Sequence, residues 1–125
     1  MRITIIGSMK FYEKFEELKK ELEEQGNQII GIPLPDEVYP NETNIKLKAM
    51  EDFNDDLEKS DAILVANYDK DEKTCHIGIN SIMEIGMAFN RNKKIFLLNK
   101  IPEKCKDELE AINVIELNGD LAKLK

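Results

Sequence analysis

Apolar residues recur along this chain in two rhythms. Short, nearly unbroken apolar runs over 2–6, 62–66 and 94–98 have the pattern of strands buried on both faces. Residues 28–32 and 111–117 read as two further strands. Between the strands the spacing changes to threes and fours. Phe11, Phe15, Leu18 and Leu22 predict an amphipathic helix over 10–25 that Gly26 stops, and Leu47, Met50, Phe53 and Leu57 predict a second over 44–59. A third helix is expected over 80–91, a short one over 103–110 after the break at Ile101-Pro102, and a turn or helix over 118–125. Pro33, Pro35 and Pro40 exclude regular structure from the loop before the second helix.

Strands alternating with helices predict a three-layer α/β/α domain with a five-stranded parallel sheet in the flavodoxin-like order 2-1-3-4-5. With 125 residues, one domain spans 1–125, enough for a single core. No repeat, linker or low-complexity stretch divides it.

The stretch 61–99 is the centre of this arrangement: strand, polar loop, helix, strand, a βαβ crossover. Gly78 and Asn80 prepare the helix start, and Glu84 follows among Ile82, Met83, Ile85, Met87, Ala88 and Phe89. Helical spacing groups Asn80, Ser81, Glu84 and Ala88 on one side, and Ile82, Ile85 and Phe89 on another, the expected packing side. Two readings of Glu84 follow. It is a solvated glutamate near a favourable helix dipole, or a reactive carboxylate close to the carboxyl ends of the strands, where open α/β sheets bind ligands. Asn67 and Asp69, in the polar loop after the third strand, lie at the same edge. Gly7-Ser8-Met9 joins the first strand to the first helix; Ser8 can cap that helix, and the exposed N–H groups of such a junction can hold an anion or polar ligand. The same tripeptide also serves as a tight turn. Tyr39, in the proline-rich loop, can cover a planar base or pack on proline. Asp61 lies at the amino end of its strand, where structural hydrogen bonding is its expected work.

Charge narrows the partners. The chain is 34% charged with a formal net charge of −7, the opposite of the basic face that polymeric nucleic acid requires. No apolar stretch approaches the roughly 20 residues of a membrane span, and no signal-peptide pattern precedes the first strand, so the expected location is cytoplasmic with no membrane partner. Cys75 and Cys105 have no metal-like spacing, and His76 is the single histidine. No bound metal and no cofactor are expected. The site also departs from other tenants of the architecture. A phosphoacceptor receiver needs acidic residues after the first strand and an aspartate ending the third, where this chain has Gly7-Ser8 and Asn67. A flavodoxin needs a richer hydroxyl and glycine loop than Gly7-Ser8-Met9-Lys10-Phe11. Neither a P-loop nor GxGxxG is present.

Three segments together resemble one family. IGSM after the first strand, SDAILVANYD around the third, and HIGINSIMEIGMAFNRNKKIFLLN through the next helix and strand look like the nucleoside 2-deoxyribosyltransferase-like proteins, including the deoxynucleoside monophosphate N-glycosidase branch. The resemblance covers the first nine residues and 60–102. It implies that Glu84 is a nucleophile toward C1′ of a 2′-deoxyribonucleoside or its 5′-monophosphate, with the glycosyl group passed to another base or to water. It implies a small-molecule nucleoside or nucleotide partner, substrate contacts from Gly7, Ser8, Met9, Asn67, Gly78, Asn80 and Ser81, and a homo-oligomer. Deoxyribosyltransferases usually carry an aspartate six positions before the nucleophile; here that position is Gly78. Asp69 is then the best match for the proton donor, with His76 as the other candidate. The departure is also compatible with a nucleotide- or nucleoside-binding domain that does not catalyse.

Overall fold

Apolar runs too short for a stable helix and buried on both faces are satisfied only inside a sheet, and that is where the chain puts them. A computed structural model describes residues 1–33, 43–69 and 76–124. Its elements are β1 (Arg2–Ile6), α1 (Tyr12–Glu24), β2 (Gln28–Gly31), α2 (Thr43–Glu58), β3 (Ala62–Val65), α3 (Ile79–Asn90), β4 (Lys94–Leu97), α4 (Lys106–Ala111) and β5 (Ile115–Glu116), with 3-10 turns at Met9–Phe11, Glu103–Cys105 and Leu121–Lys123. The strands pair in the order β2-β1-β3-β4-β5, every pair parallel. This is the three-layer α/β/α architecture that the alternation of rhythms predicts.

The period of two along the strands divides the core between the two faces of the sheet. On one face Ile3, Ile5, Leu64 and Phe96 meet Phe15, Leu18 and Leu22 of α1 and the C-terminal Leu121 and Leu124. On the other Ile63, Val65, Ile95 and Leu97 meet Phe53 and Leu57 of α2, Ile85 and Ala88 of α3, and Leu109 of α4. All four residues of the central strand β3 are buried.

Two elements differ from expectation. The first helix begins as the 3-10 turn Met9–Phe11; the Ser8 carbonyl accepts from Phe11 N–H at 3.0 Å, and Ser8 Oγ accepts from Lys10 N–H at a long 3.4 Å. Its far end agrees: Gly26 adopts φ 93°, a conformation that costs glycine nothing. The fifth strand is two residues rather than seven. Asn113, at φ 59°, donates to the Glu110 carbonyl at 3.1 Å and Val114 to that of Leu109 at 3.2 Å, so 111–114 finish α4 before pairing can start. The segment 34–42 with Tyr39, and 70–75 with Cys75, lie outside the described residues. Among the described residues no helix is long and apolar enough to cross a membrane.

The amino edge of the sheet is tied by polar contacts. Arg2 N–H donates to Asp61 Oδ2 at 2.8 Å and its guanidinium to Oδ1 at 3.0 Å, as expected of a structural Asp61. Arg2 in turn holds the Asp61 carboxyl down at about 2. Beneath this pair, the buried Thr4 and Ser60 hydroxyls are 2.7 Å apart and Ser60 Oγ donates to the Asp56 carbonyl at 2.8 Å.

Candidate functional site

The carboxyl edge is built by register. Ile6 pairs with Val65, Val65 with Leu97 and the neighbouring residue Phe96 with Ile115, so the loops after β1, β3 and β4 open on one side of the molecule. The strand order reverses between β1 and β3. α1 leaves toward one face and α3 toward the other, the divergence beside which open α/β sheets bind ligands. A side chain at Gly7 would stand 3.0 Å from the Phe15 ring and 3.1 Å from the Ala66 carbonyl oxygen. The glycine is what lets the β1 and β3 ends come together. Ser8 follows half-buried, and Met9 opens the 3-10 turn.

Asn67 has a different place from the one its loop position implied. It is 1% exposed. Its Nδ2 donates to the Lys100 carbonyl at 2.9 Å, its Oδ1 accepts from Asn99 N–H at 2.9 Å, and its carbonyl accepts from Asn99 Nδ2 at 3.1 Å. The carboxamide fastens the end of β3 to the loop after β4. Beyond it, the Tyr68 carbonyl accepts from His76 N–H at 3.0 Å, which brings together the two ends of the polar segment and delivers the chain to α3. Asp69 is exposed at the start of that segment.

The α1 side of this edge carries a group that sequence spacing concealed. The Phe11 and Tyr68 rings lie with centroids 5.3 Å apart at 59°, and Lys14 Nζ sits 4.5 Å from the Tyr68 centroid and 5.4 Å from that of Phe11, within cation–π range. Burial, then the nearby Glu17 and Glu21, push the Tyr68 hydroxyl up. Phe11 reads as the first apolar position of a helix and Tyr68 as a loop residue; only the fold makes them neighbours.

α3 supplies the other wall, and its rotation corrects the expected faces. Ser81, Ile85 and Ala88 are buried against the sheet, while Ile82 and Phe89, assigned to the packing side, are 37% and 52% exposed. Small side chains at Ser81 and Ala88 let the helix axis approach the strands, and bulkier ones would hold it off. Ile77, 3% exposed just before the helix, sets the phase: 77, 81, 85 and 88 step by four, four and three. That run was present in the sequence, hidden by the serine. Gly78 is extended at the helix start with no side-chain cap, and Asn80 is exposed. A side chain at Gly78 would stand 3.8 Å from His76 Nε2.

Glu84 then falls on the flank of α3, between the buried and exposed sides. It is half-buried. Burial alone pushes its carboxyl up to about 7 from an ordinary 4.5. Among the described residues neither cation nor hydrogen-bond donor offsets the desolvation, which favours the neutral form and brings the titration near neutrality, as at many functional sites. Among the described residues no three His, Cys, Asp or Glu side chains converge to hold a metal ion.

These features define the class: an α/β/α domain whose strand order reverses between β1 and β3, with one acidic group on the helix after β3 that has no partner among the described residues. No protein-family model and no curated protein matches the chain. Among solved structures it is similar to the CMP N-glycosidase BcmB of Clostridium botulinum, with a TM-score of 0.61 and 22% identity, over 93% of this chain and 87% of that one. Likeness at that identity shows the fold.

Proposed function

We propose that this protein cleaves the N-glycosidic bond of a nucleoside or its 5′-monophosphate, with Glu84 as the nucleophile. The observation that carries the reading is Glu84 itself, a half-buried carboxyl with no partner among the described residues, raised to about 7. The similar solved structure is that of an enzyme named for the same bond, which supports the reaction class. In the first step a Glu84 carboxylate oxygen bonds to C1′ as the C1′–N bond breaks, and the base departs with its electron pair and a proton. In the second, water, or the nitrogen of another base, attacks C1′ and frees the carboxylate, so the anomer of the substrate returns. An anion beside C1′ stabilises the oxocarbenium-like transition state throughout.

The departing base needs a proton. Asp69 is proposed as its source, from its place after the central strand. His76 is the alternative, because its ring lies next to the space above Gly78. The N–H groups at the start of α3, with Gly78 and Asn80, and the Gly7-Ser8-Met9 junction are proposed to receive the sugar hydroxyls or phosphate. Ser81 and Asn67 serve from behind, as residues that position the helix and the end of β3. The substrate is proposed as a 2′-deoxyribonucleoside or its monophosphate on the family resemblance, and the CMP of the similar structure makes a ribonucleotide the first comparison.

A second reading, binding without turnover, is favoured by the absent side chain at Gly78. The two separate in one experiment. Ribo- and deoxyribonucleosides and their 5′-monophosphates are incubated with the protein, with and without a free acceptor base, and released or exchanged base is read by chromatography. Base release or exchange is expected. Saturable ligand binding with no release from any substrate would replace the enzyme by the binding domain.

A further inference from the structure

The chain leaving β3 is held at successive residues by different parts of the molecule. Asn67 is fastened to the loop after β4 through Asn99 and Lys100. Tyr68, the next residue, turns to α1: its ring lies 5.3 Å from that of Phe11 between centroids and 4.5 Å from Lys14 Nζ, and both rings rest on the core of that face. Its hydroxyl makes no hydrogen bond among the described residues, so the fold uses the ring and not the phenol. Lys14 is exposed and makes no salt bridge with a described carboxylate; its ammonium faces the two rings instead. Tyr68 is also where both candidate proton donors attach. Asp69 follows it directly, and the Tyr68 carbonyl accepts from His76 N–H at 3.0 Å.

We propose that Tyr68, clamped by Phe11 and Lys14, is the positioning residue for the proton donor of the reaction proposed above, a role that rests on that reading. Three attachments fix Tyr68: its N–H donates to the Ala66 carbonyl at 3.1 Å, its ring is held by α1, and its carbonyl is held by His76. Asp69 is one residue beyond this anchor, and the His76 backbone is tied to it, so the role is the same whichever of the two gives the proton. Glu84 is held separately, because α3 packs on the sheet through Ile85 and Ala88 with Ile77 before them. The clamp therefore bears on protonation of the departing base and not on attack at C1′. Proton transfer needs the donor within hydrogen-bond reach, and a displacement of about 1 Å costs about tenfold or more.

The test measures kcat of the full chain on two substrates, for wild type, Tyr68→Leu, Tyr68→Phe and Lys14→Met. One substrate is a natural nucleoside or 5′-monophosphate; the other has the same glycosyl group carrying 4-nitrophenolate, which departs without a proton. Circular dichroism checks that each variant keeps its fold. Tyr68→Leu is expected to slow the natural substrate about tenfold and to spare the other. Tyr68→Phe, which keeps the ring, is expected to restore the wild-type ratio of the two rates. Lys14→Met, at an exposed position, is expected to shift that ratio by about two- to fivefold, the size of an exposed cation–π contact. Equal slowing of both substrates in Tyr68→Leu makes the ring merely structural and overturns the proposal, and so does a Tyr68→Phe that behaves as Tyr68→Leu. If Tyr68→Leu does not fold, an unchanged ratio in Lys14→Met overturns it. A wild type that releases the leaving group from neither substrate removes the reaction and this role with it, whereas loss of the role alone leaves wild-type turnover in place, so the two failures are told apart.

Discussion

Asp61 and Glu84 are carboxylates at two regions of one sheet, and the fold treats them in opposite ways. At the amino edge, Asp61 receives the Arg2 backbone and guanidinium and is held at about 2. On the helix that starts from the carboxyl edge, Glu84 is withdrawn from water, given no counter-charge among the described residues and raised to about 7. The first arrangement favours the charged form and the native state with it. The second disfavours the charged form and keeps it available for chemistry, a stability cost typical of functional sites. Burial raises the one, and the Arg2 hydrogen bonds to an exposed carboxylate lower the other.

The largest expected effect tests whether that difference is functional. Glu84→Gln keeps the volume and removes the nucleophile, so turnover should fall by at least about 10³-fold while ligand binding persists. With wild type, kcat/KM should rise with pH through about 7, because the attacking form is the carboxylate. A rate that falls through the same range would make Glu84 an acid. Next comes the second group at this edge. Asp69→Asn should slow natural substrates by about 10²-fold and spare one whose leaving group departs without a proton. The same selectivity in His76→Ala, with Asp69→Asn unaffected, would move the role to the histidine.

Two smaller effects read the comparison as stability. Glu84 has a raised folded pKa. Below about 4.5 it is protonated folded and unfolded, with no net effect; as pH rises toward 7 the unfolded chain ionises first and the folded state loses ground. Glu84→Gln should therefore match wild type near pH 4 and exceed it at pH 8, by up to about 3 kcal/mol less whatever water at the half-exposed side chain screens. Denaturant unfolding at both pH values measures it. Asp61 has the opposite sign. Its contribution is present above its ordinary 3.8 and is lost as pH falls through about 2. Asp61→Asn should lower the Tm slightly at pH 7, less so near pH 2, and leave turnover unchanged. A larger loss at pH 2 than at pH 7 would contradict the pairing.

Most of the sheet was legible because burial on both faces demands continuous apolar runs, and 2–6, 62–66 and 94–98 have no other use. The fifth strand was overread because Ile112, Val114, Ile115 and Leu117 suit a helix end as well as a strand. At the site, Glu84, Gly7 and the start of α3 were visible as residue types in order. The Phe11, Tyr68 and Lys14 cluster was not, since its members come from separate segments. Asn67 was visible in place and misread in direction: a loop asparagine has the same letter whether its amide faces a ligand or Asn99 and Lys100.

The sequence by itself determined which segments are strands and helices, the layered architecture, and the presence of a lone acidic residue in an apolar helix, because these follow from periodicity and composition within one segment. Only the tertiary structure decided the rotation of α3. Whether Ser81 and Ala88 or Ile82 and Phe89 face the sheet depends on how near the helix axis can come to β3 and β4, a matter of shape between segments. That rotation withdraws Glu84 from water without giving it a partner among the described residues and leaves Ile79 and Met83 outside, so the character of the site and of the surface beside it both come from packing.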